Sequence, residues 1–256
     1  MPARINPGFF LLAIIFLTTS GAQAQFHFIN DKDGFVNVKE TPETEGKIIC
    51  QLNNGMVVYE SWNEDTTNKN WIFVEFYLSK EQAKKIKAKP EEWIPDVMKD
   101  HSLFKGYIHK DRLLAVQENT PLERKESADQ LLLFNRNIKV KFTKASFQKE
   151  QHKIQTKPEI GVFKIDGHYL IGLDGETPRN EIKTFTIEID QKRIDVPKNI
   201  FFDLYEPNFA GSDAYSDAKG NLYIIMYNSD AAGSYSVIFI LDNKNHLTRY
   251  VFVGEC

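Results

Sequence analysis

Trp71-Ile72-Phe73-Val74-Glu75-Phe76-Tyr77 is dense in aromatic and β-branched residues, the composition of a half-buried strand. Upstream, Lys47-Ile48-Ile49-Cys50-Gln51-Leu52 and Met56-Val57-Val58-Tyr59 flank Asn54-Gly55. Asn-Gly between two apolar runs predicts a hairpin. Further upstream, Gly34-Phe35-Val36-Asn37-Val38-Lys39-Glu40-Thr41-Pro42 reads as a short alternating strand entering a proline turn. Downstream, Gly106-Tyr107-Ile108-His109-Lys110-Asp111-Arg112-Leu113 closes the set. Between them, residues 78–105 form an insert. Ser79-Lys80-Glu81-Gln82 is a capping box ahead of a Lys/Ala-rich stretch, which predicts a helix broken by Pro90 and Pro95 around Trp93.

The order of these pieces resembles the bacterial SH3 (SH3b) family. Its members typically show a VNVR-x-x-P opening, an L-x-x-G turn, a W-x-x-V strand and a closing GW(V/I)-x-x-x-x-L. This chain carries Val36-Asn37-Val38-Lys39 with Pro42, Leu52 with Gly55, Trp71 with Val74, and Gly106-Tyr107-Ile108 with Leu113. Lys39 stands where arginine is usual, Tyr107 stands where tryptophan is common, and the 78–105 insert is an addition. The resemblance covers residues 26–116. It implies an SH3-like small β-barrel with a helical insert, of the kind that holds cell-wall peptides or docks beside a catalytic domain. It also implies an aromatic-lined groove with Tyr59, Trp62, Trp71 or Tyr107 as stacking walls. The competing expectation is that these rings fill a small core. The apolar strand around Trp71 favours core there, while the polar surroundings of Trp62 leave both readings open.

The chain begins with a basic residue, Arg4, followed by the apolar run FFLLAIIFL from Phe9 to Leu17 and the small-residue exit Ala22-Gln23-Ala24. This is the pattern of a secretory signal peptide over residues 1–24. Nine apolar residues span only about 14 Å as a helix, roughly half of a bilayer core. Cleavage near Ala24 is therefore expected, leaving a periplasmic or secreted protein that is not membrane-embedded. Outside the cytoplasm Cys50 and Cys256 either pair as a disulfide or remain two thiols.

Of the 256 residues 42% are hydrophobic and 26% charged, the balance of a globular protein. The net charge of −3 gives no general pull towards nucleic acid. Two cysteines are too few for a four-thiolate zinc site.

The C-terminal half reads as a second antiparallel β-rich domain, residues 131–256. Thr120-Pro121-Leu122-Glu123 looks like a second capping box and predicts a short helix or linker over 117–130. The stretch from Lys149 to Lys157 reads as a loop. Strand-turn signals follow at Ile138–Phe142, Gly161–Ile165 with Asp166-Gly167, His168–Gly172, Ile182–Ile189, Leu222–Tyr227, Tyr235–Leu241 and Leu247–Val253. About seven strands at that spacing suggest a sandwich, barrel or curved sheet.

Motifs for catalysis are missing from the sequence. Neither cysteine suits a nucleophile, there is no H-E-x-x-H, and Ala232-Gly233-Ser234-Tyr235 is not a G-x-S-x-G elbow. The histidines are His27, His101, His109, His152, His168 and His246, with no i,i+4 pair, and read as scattered surface residues. The Asp/Gly/Ser-rich loops offer Asp213, Asp217, Asn228 and Asp230 as recognition residues, against the plainer reading of turn chemistry. No cofactor and no metal is expected. The expectation is an exported non-catalytic protein that binds cell-wall fragments or an envelope protein. Two alternatives are an inhibitor or immunity protein against a wall-degrading enzyme or toxin, and an envelope hydrolase using the acidic loops.

Overall fold

The computed structural model describes residues 26–61, 68–229 and 233–253, with the side chain of Val97 excepted. The expected signal peptide, residues 1–24, together with Trp62, Asp230 and Cys256, lies outside the described residues. The architecture is mainly β and antiparallel throughout.

The N-terminal half holds β1 (Phe26–Ile29), β2 (Phe35–Lys39), β3 (Ile48–Asn53), β4 (Val57–Glu60), β5 (Trp71–Ser79), the one-turn helix α1 (Lys80–Ala83), β6 (His101–His109) and β7 (Leu113–Ala115). Its strands form one seven-stranded half-barrel in the order β3-β2-β6-β5-β4-β1-β7. Val38, Leu52, Val58, Val74, Phe76, Phe104 and Ile108 fill its inside. Gly106 is required where β2 crosses β6. A Cβ there would lie 2.5 Å from Val38 Cγ1 and 2.9 Å from the Lys39 carbonyl.

Two local expectations fail here. The hairpin expected around Asn54-Gly55 does not form: β3 pairs with β2, and β4 pairs with β1 and β5. The turn itself is present, with Gly55 at φ +82°. It is pinned to the β1–β2 connection because Asn54 accepts from the Asp31 N–H at 2.9 Å and Gly55 N donates to the Ile29 carbonyl at 2.9 Å. The insert also differs from expectation. β5 and β6 pair from Trp71↔His109 to Ser79↔His101, so the excursion spans residues 80–100 at the tip of a long hairpin. Ser79 caps α1 as predicted, but the helix stops after one turn. Lys80–Lys84 and Lys85–Lys89 would place like charges four residues apart, which opposes propagation ahead of Pro90.

The C-terminal part begins with β8 (Thr120–Pro121) and β9 (Glu123–Glu126), then β10 (Gln130–Phe134), β11 (Ile138–Ser146), β12 (Ile154–Lys157), β13 (Gly161–Ile165), β14 (His168–Tyr169), β15 (Asn180–Ile189) and β16 (Lys192–Ile194). It ends with β17 (Ser212–Ser216), β18 (Leu222–Asn228), β19 (Tyr235–Leu241) and β20 (Leu247–Val253). The helix or linker expected over 117–130 instead holds the end of a 3-10 turn, Val116–Glu118, and the short strands β8 and β9. Pro121 lies on the edge strand of the sheet β20-β19-β18-β17-β8, where a missing N–H costs nothing. Leu122 is buried and donates to the Ala214 carbonyl at 2.9 Å. Glu123 then opens the charged edge strand of the sheet β16-β15-β11-β10-β9.

These two five-stranded sheets face each other across Phe142, Phe185, Val140 and Ile187 on one side and Ile224, Met226, Val237 and Phe239 on the other. The sheet ending in β20 is covered on its second face too. Tyr223, Ile225, Ile238 and Phe252 pack against Phe26, Phe28, Tyr59 and Tyr77 of the half-barrel. The result is three layers with one central sheet buried on both sides. A small three-stranded sheet, β12-β13-β14, lies at the flank. No helix among the described residues is long and apolar enough to cross a membrane.

Candidate functional site

The β5–β6 hairpin presents two rows of side chains because strand residues alternate between faces. Ile72, Val74, Phe76 and Leu78 point into the half-barrel. Trp71, Phe73, Glu75 and Tyr77 form the other row, opposite His109, Tyr107, Lys105 and Leu103. The outward face thus carries every predicted aromatic wall on this hairpin, and its two ends differ.

At one end the Tyr77 ring is buried under the central sheet. Its hydroxyl donates to the Val251 carbonyl at 2.7 Å, and its ring lies 5.0 Å from Phe252. Tyr59 stacks on Phe252 at 4.9 Å, and its hydroxyl meets Ser236 Oγ at 3.1 Å. Burial raises the Tyr59 phenol above its ordinary range. Tyr59 is therefore a core residue of the junction and not a groove wall; the central sheet occupies the space a ligand would need.

The Trp71 end is open. Trp71 is half-buried and meets His109 edge-on at 5.5 Å. Tyr107 is buried and packs against its cross-strand partner Phe73 at 5.0 Å, so its ring is committed to packing within the face. A cleft of about 680 Å³ opens here, walled by Trp71, Phe35, Lys39, His109 and Arg112. Phe35 is 38% exposed and was not among the sequence candidates. The available signal was its alternation in β2, which places it on the side of Asn37 and Lys39, away from buried Val36 and Val38. Asp31 anchors the floor by pairing with Arg112. The Asp33 backbone N–H, followed by Arg112, holds the Asp31 carboxyl below the usual range. The Lys39 ammonium donates to the Thr44 and Gly46 carbonyls at 2.9 Å each, tying down the rim loop.

The chain matches no protein-family model, no curated protein and no solved structure.

Of the acidic-loop residues, Asp213, Asp217 and Asn228 lie among the described residues, and each is engaged in separate contacts. Asp213 is half-exposed and lies 3.8 Å from Arg124. Asp217 organises a turn: it accepts from the Lys219 and Asn221 backbone N–H groups and from the Tyr223 hydroxyl at 2.8 Å. Burial alone would raise its carboxyl, but the bonds from Asn221, Tyr223 and Lys219 hold it low. Asn228 is buried and accepts from the Asn208 N–H at 3.2 Å. These are the contacts of turn chemistry. Cys50 sits in the half-barrel core, where burial pushes its thiol up to about 12, far from a nucleophile's range.

His27 and His152 depart from the surface role expected of the histidines; His27 is buried in β1 with its Nε2 2.9 Å from Glu60. Residues 149–157 are a short 3-10 turn and β12, and the His152 ring is only 14% exposed. Its Nδ1 lies 2.7 Å from Asp166 and its Nε2 lies 3.1 Å from Glu181, while Phe147 stacks on it at 4.4 Å. The side chain ties the β12–β14 flank to β15. No group of three His, Cys, Asp or Glu side chains among the described residues is placed to hold a metal ion.

Proposed function

We propose that this chain is an exported, non-catalytic binding protein whose half-barrel acts as a bacterial SH3-like module on the cell envelope. Its ligands are peptide-bearing fragments of peptidoglycan. The observation that carries this reading is the open cleft at Trp71, on the outward face of the β5–β6 hairpin. Trp71 and Phe35 offer flat surfaces on which amide planes stack. Around them Asp31, Asp33 and Asp111 are balanced by Lys32, Lys39 and Arg112, a lining suited to a ligand carrying both carboxylates and amines. The ordered motifs of residues 26–116 and the apolar leader support the same reading.

The test is a pull-down of residues 25–256 on insoluble peptidoglycan. Binding should be lost in Trp71→Ala and weakened in Phe35→Ala while both variants keep the parent's circular dichroism. Tyr59→Phe should bind as the parent does. Absence of binding by the folded parent would reject the reading.

A further inference from the structure

A second concavity lies on the insert side of the β5–β6 face and shares no lining residue with the Trp71 cleft. Its volume is about 480 Å³, within the roughly 300–1,000 Å³ of small-molecule sites. The 80–100 excursion builds one wall. The Glu91 N–H donates to the Leu103 carbonyl at 2.9 Å, which holds the segment against β6. Trp93, between Pro90 and Pro95, remains 51% exposed at this wall.

The charged lining consists of Glu75, Glu91, Glu92 and Lys105. Three carboxylates meet one ammonium, which leaves the cavity negative, in contrast to the balanced Trp71 cleft. Lys105 is divided between Glu75 at 3.3 Å and Glu91 at 3.8 Å. Glu92 also pairs with Lys89 at 2.6 Å, but those side chains are 81% and 79% exposed, so water screens that pair heavily. Glu75 is different. Its side chain is 4% exposed, and it accepts from Ser61 Oγ at 3.1 Å. Lys105 offsets much of its charge, so the negative character of the cavity comes mainly from the rim carboxylates Glu91 and Glu92.

These carboxylates do not converge on a point as metal ligands must. They are spread along a cavity that has an aromatic wall. Tryptophan is the best aromatic partner for a cation, and carboxylates nearby add Coulombic attraction. The arrangement suits a compact charge on an aliphatic stem, whose methylenes lie against Trp93.

We propose that this cavity binds a primary alkylammonium group, with Trp93 as its aromatic wall and Glu91 and Glu92 as its rim charges over the buried Glu75. This site does not depend on the wall-binding reading of the Trp71 cleft.

The test is calorimetric titration of residues 25–256 at low ionic strength with Nα-acetyl-lysine amide, using Nα-acetyl-norleucine amide as the uncharged control and n-butylamine as the bare amine. The lysine compound should bind saturably, with a millimolar dissociation constant, and the norleucine compound should not bind. Trp93→Ala and the double variant Glu91→Gln/Glu92→Gln should each weaken binding about fivefold or more. Both alter exposed side chains and should leave the fold intact. n-Butylamine binding as well as the lysine compound would assign the site to free amines; weaker binding would assign it to lysine-like residues of a peptide. Trp71→Ala should leave these titrations unchanged, so failure here and failure of the pull-down are separable. No saturable heat up to about 50 mM, undiminished binding in both variants, or equal binding of the norleucine compound would overturn the proposal.

Discussion

Tyr77 and Trp71 share the outward row of β5, and both belong to the aromatic run that reads in the sequence as a half-buried strand. Tyr77 is 5% exposed, bonded to a main-chain carbonyl of β20 and surrounded by the rings of Phe252 and Tyr250. Trp71 has one edge-on neighbour, His109, and faces an open cleft. The same chemistry therefore serves cohesion at one end and is left available at the other. What separates them is the reach of the central sheet, which covers the half-barrel as far as Tyr59 and Tyr77.

The comparison breaks most readily at the buried end. Phe252→Ala removes a ring that lies 4.9 Å from Tyr59, 5.0 Å from Tyr77 and 5.7 Å from Phe26, and should cost about 3–5 kcal/mol. Urea unfolding measures it; a loss below about 1 kcal/mol would mean the junction is not a packed core. A paired substitution sharpens the contrast. Tyr59→Phe deletes only the hydroxyl contact with Ser236 and should lose about 1 kcal/mol of stability with ligand binding intact. Trp71→Ala should show the opposite profile, with a smaller stability loss than Phe252→Ala but no retention on peptidoglycan. Similar profiles for the two would erase the distinction between the ends.

The smallest effect concerns acid. Asp31, under the open cleft, has a folded-state pKa below its unfolded value. Its stabilisation is therefore fully present above the unfolded value near 4 and is lost as pH falls through the folded value. Between pH 6 and pH 3, the melting temperature of Asp31→Asn should fall less than that of the parent. Equal slopes would show that the carboxylate contributes nothing to the floor of the cleft.

Much of the strand pattern was legible because it depends on local alternation. Phe35 to Lys39, Ile138 to Phe142 and Ile182 to Ile189 each occur as strands, and Asp166-Gly167 turns a true hairpin with φ of +54° and +88°. The errors arose where one local signal fits two geometries. Asn54-Gly55 encodes a tight turn whether or not the flanking strands pair, and here side-chain and main-chain bonds to the β1–β2 connection took the turn. Thr120 to Glu123 satisfies a capping pattern, but Leu122 gains more from burial in the sandwich than four residues gain from a helix turn. His152 gave no signal because Asp166 and Glu181 are distant in sequence and meet it only through the β11–β15 and β12–β13 pairings.

The near-continuous apolar runs of β18 and β19 carried information that alternation alone could not interpret. A strand buried on both faces loses its polar row, and that is what Leu222 to Tyr227 displays.

The residues alone determined that this chain builds strands and tight turns, and that the aromatic run from Trp71 to Tyr77 is one of those strands, since each follows from local alternation and turn chemistry. Only the tertiary structure decided which of those aromatic side chains face solvent, because exposure depends on which layer packs on which. That choice was made by apolar surface on β18, β19 and β20, far along the chain, seeking the same burial as Tyr59 and Tyr77.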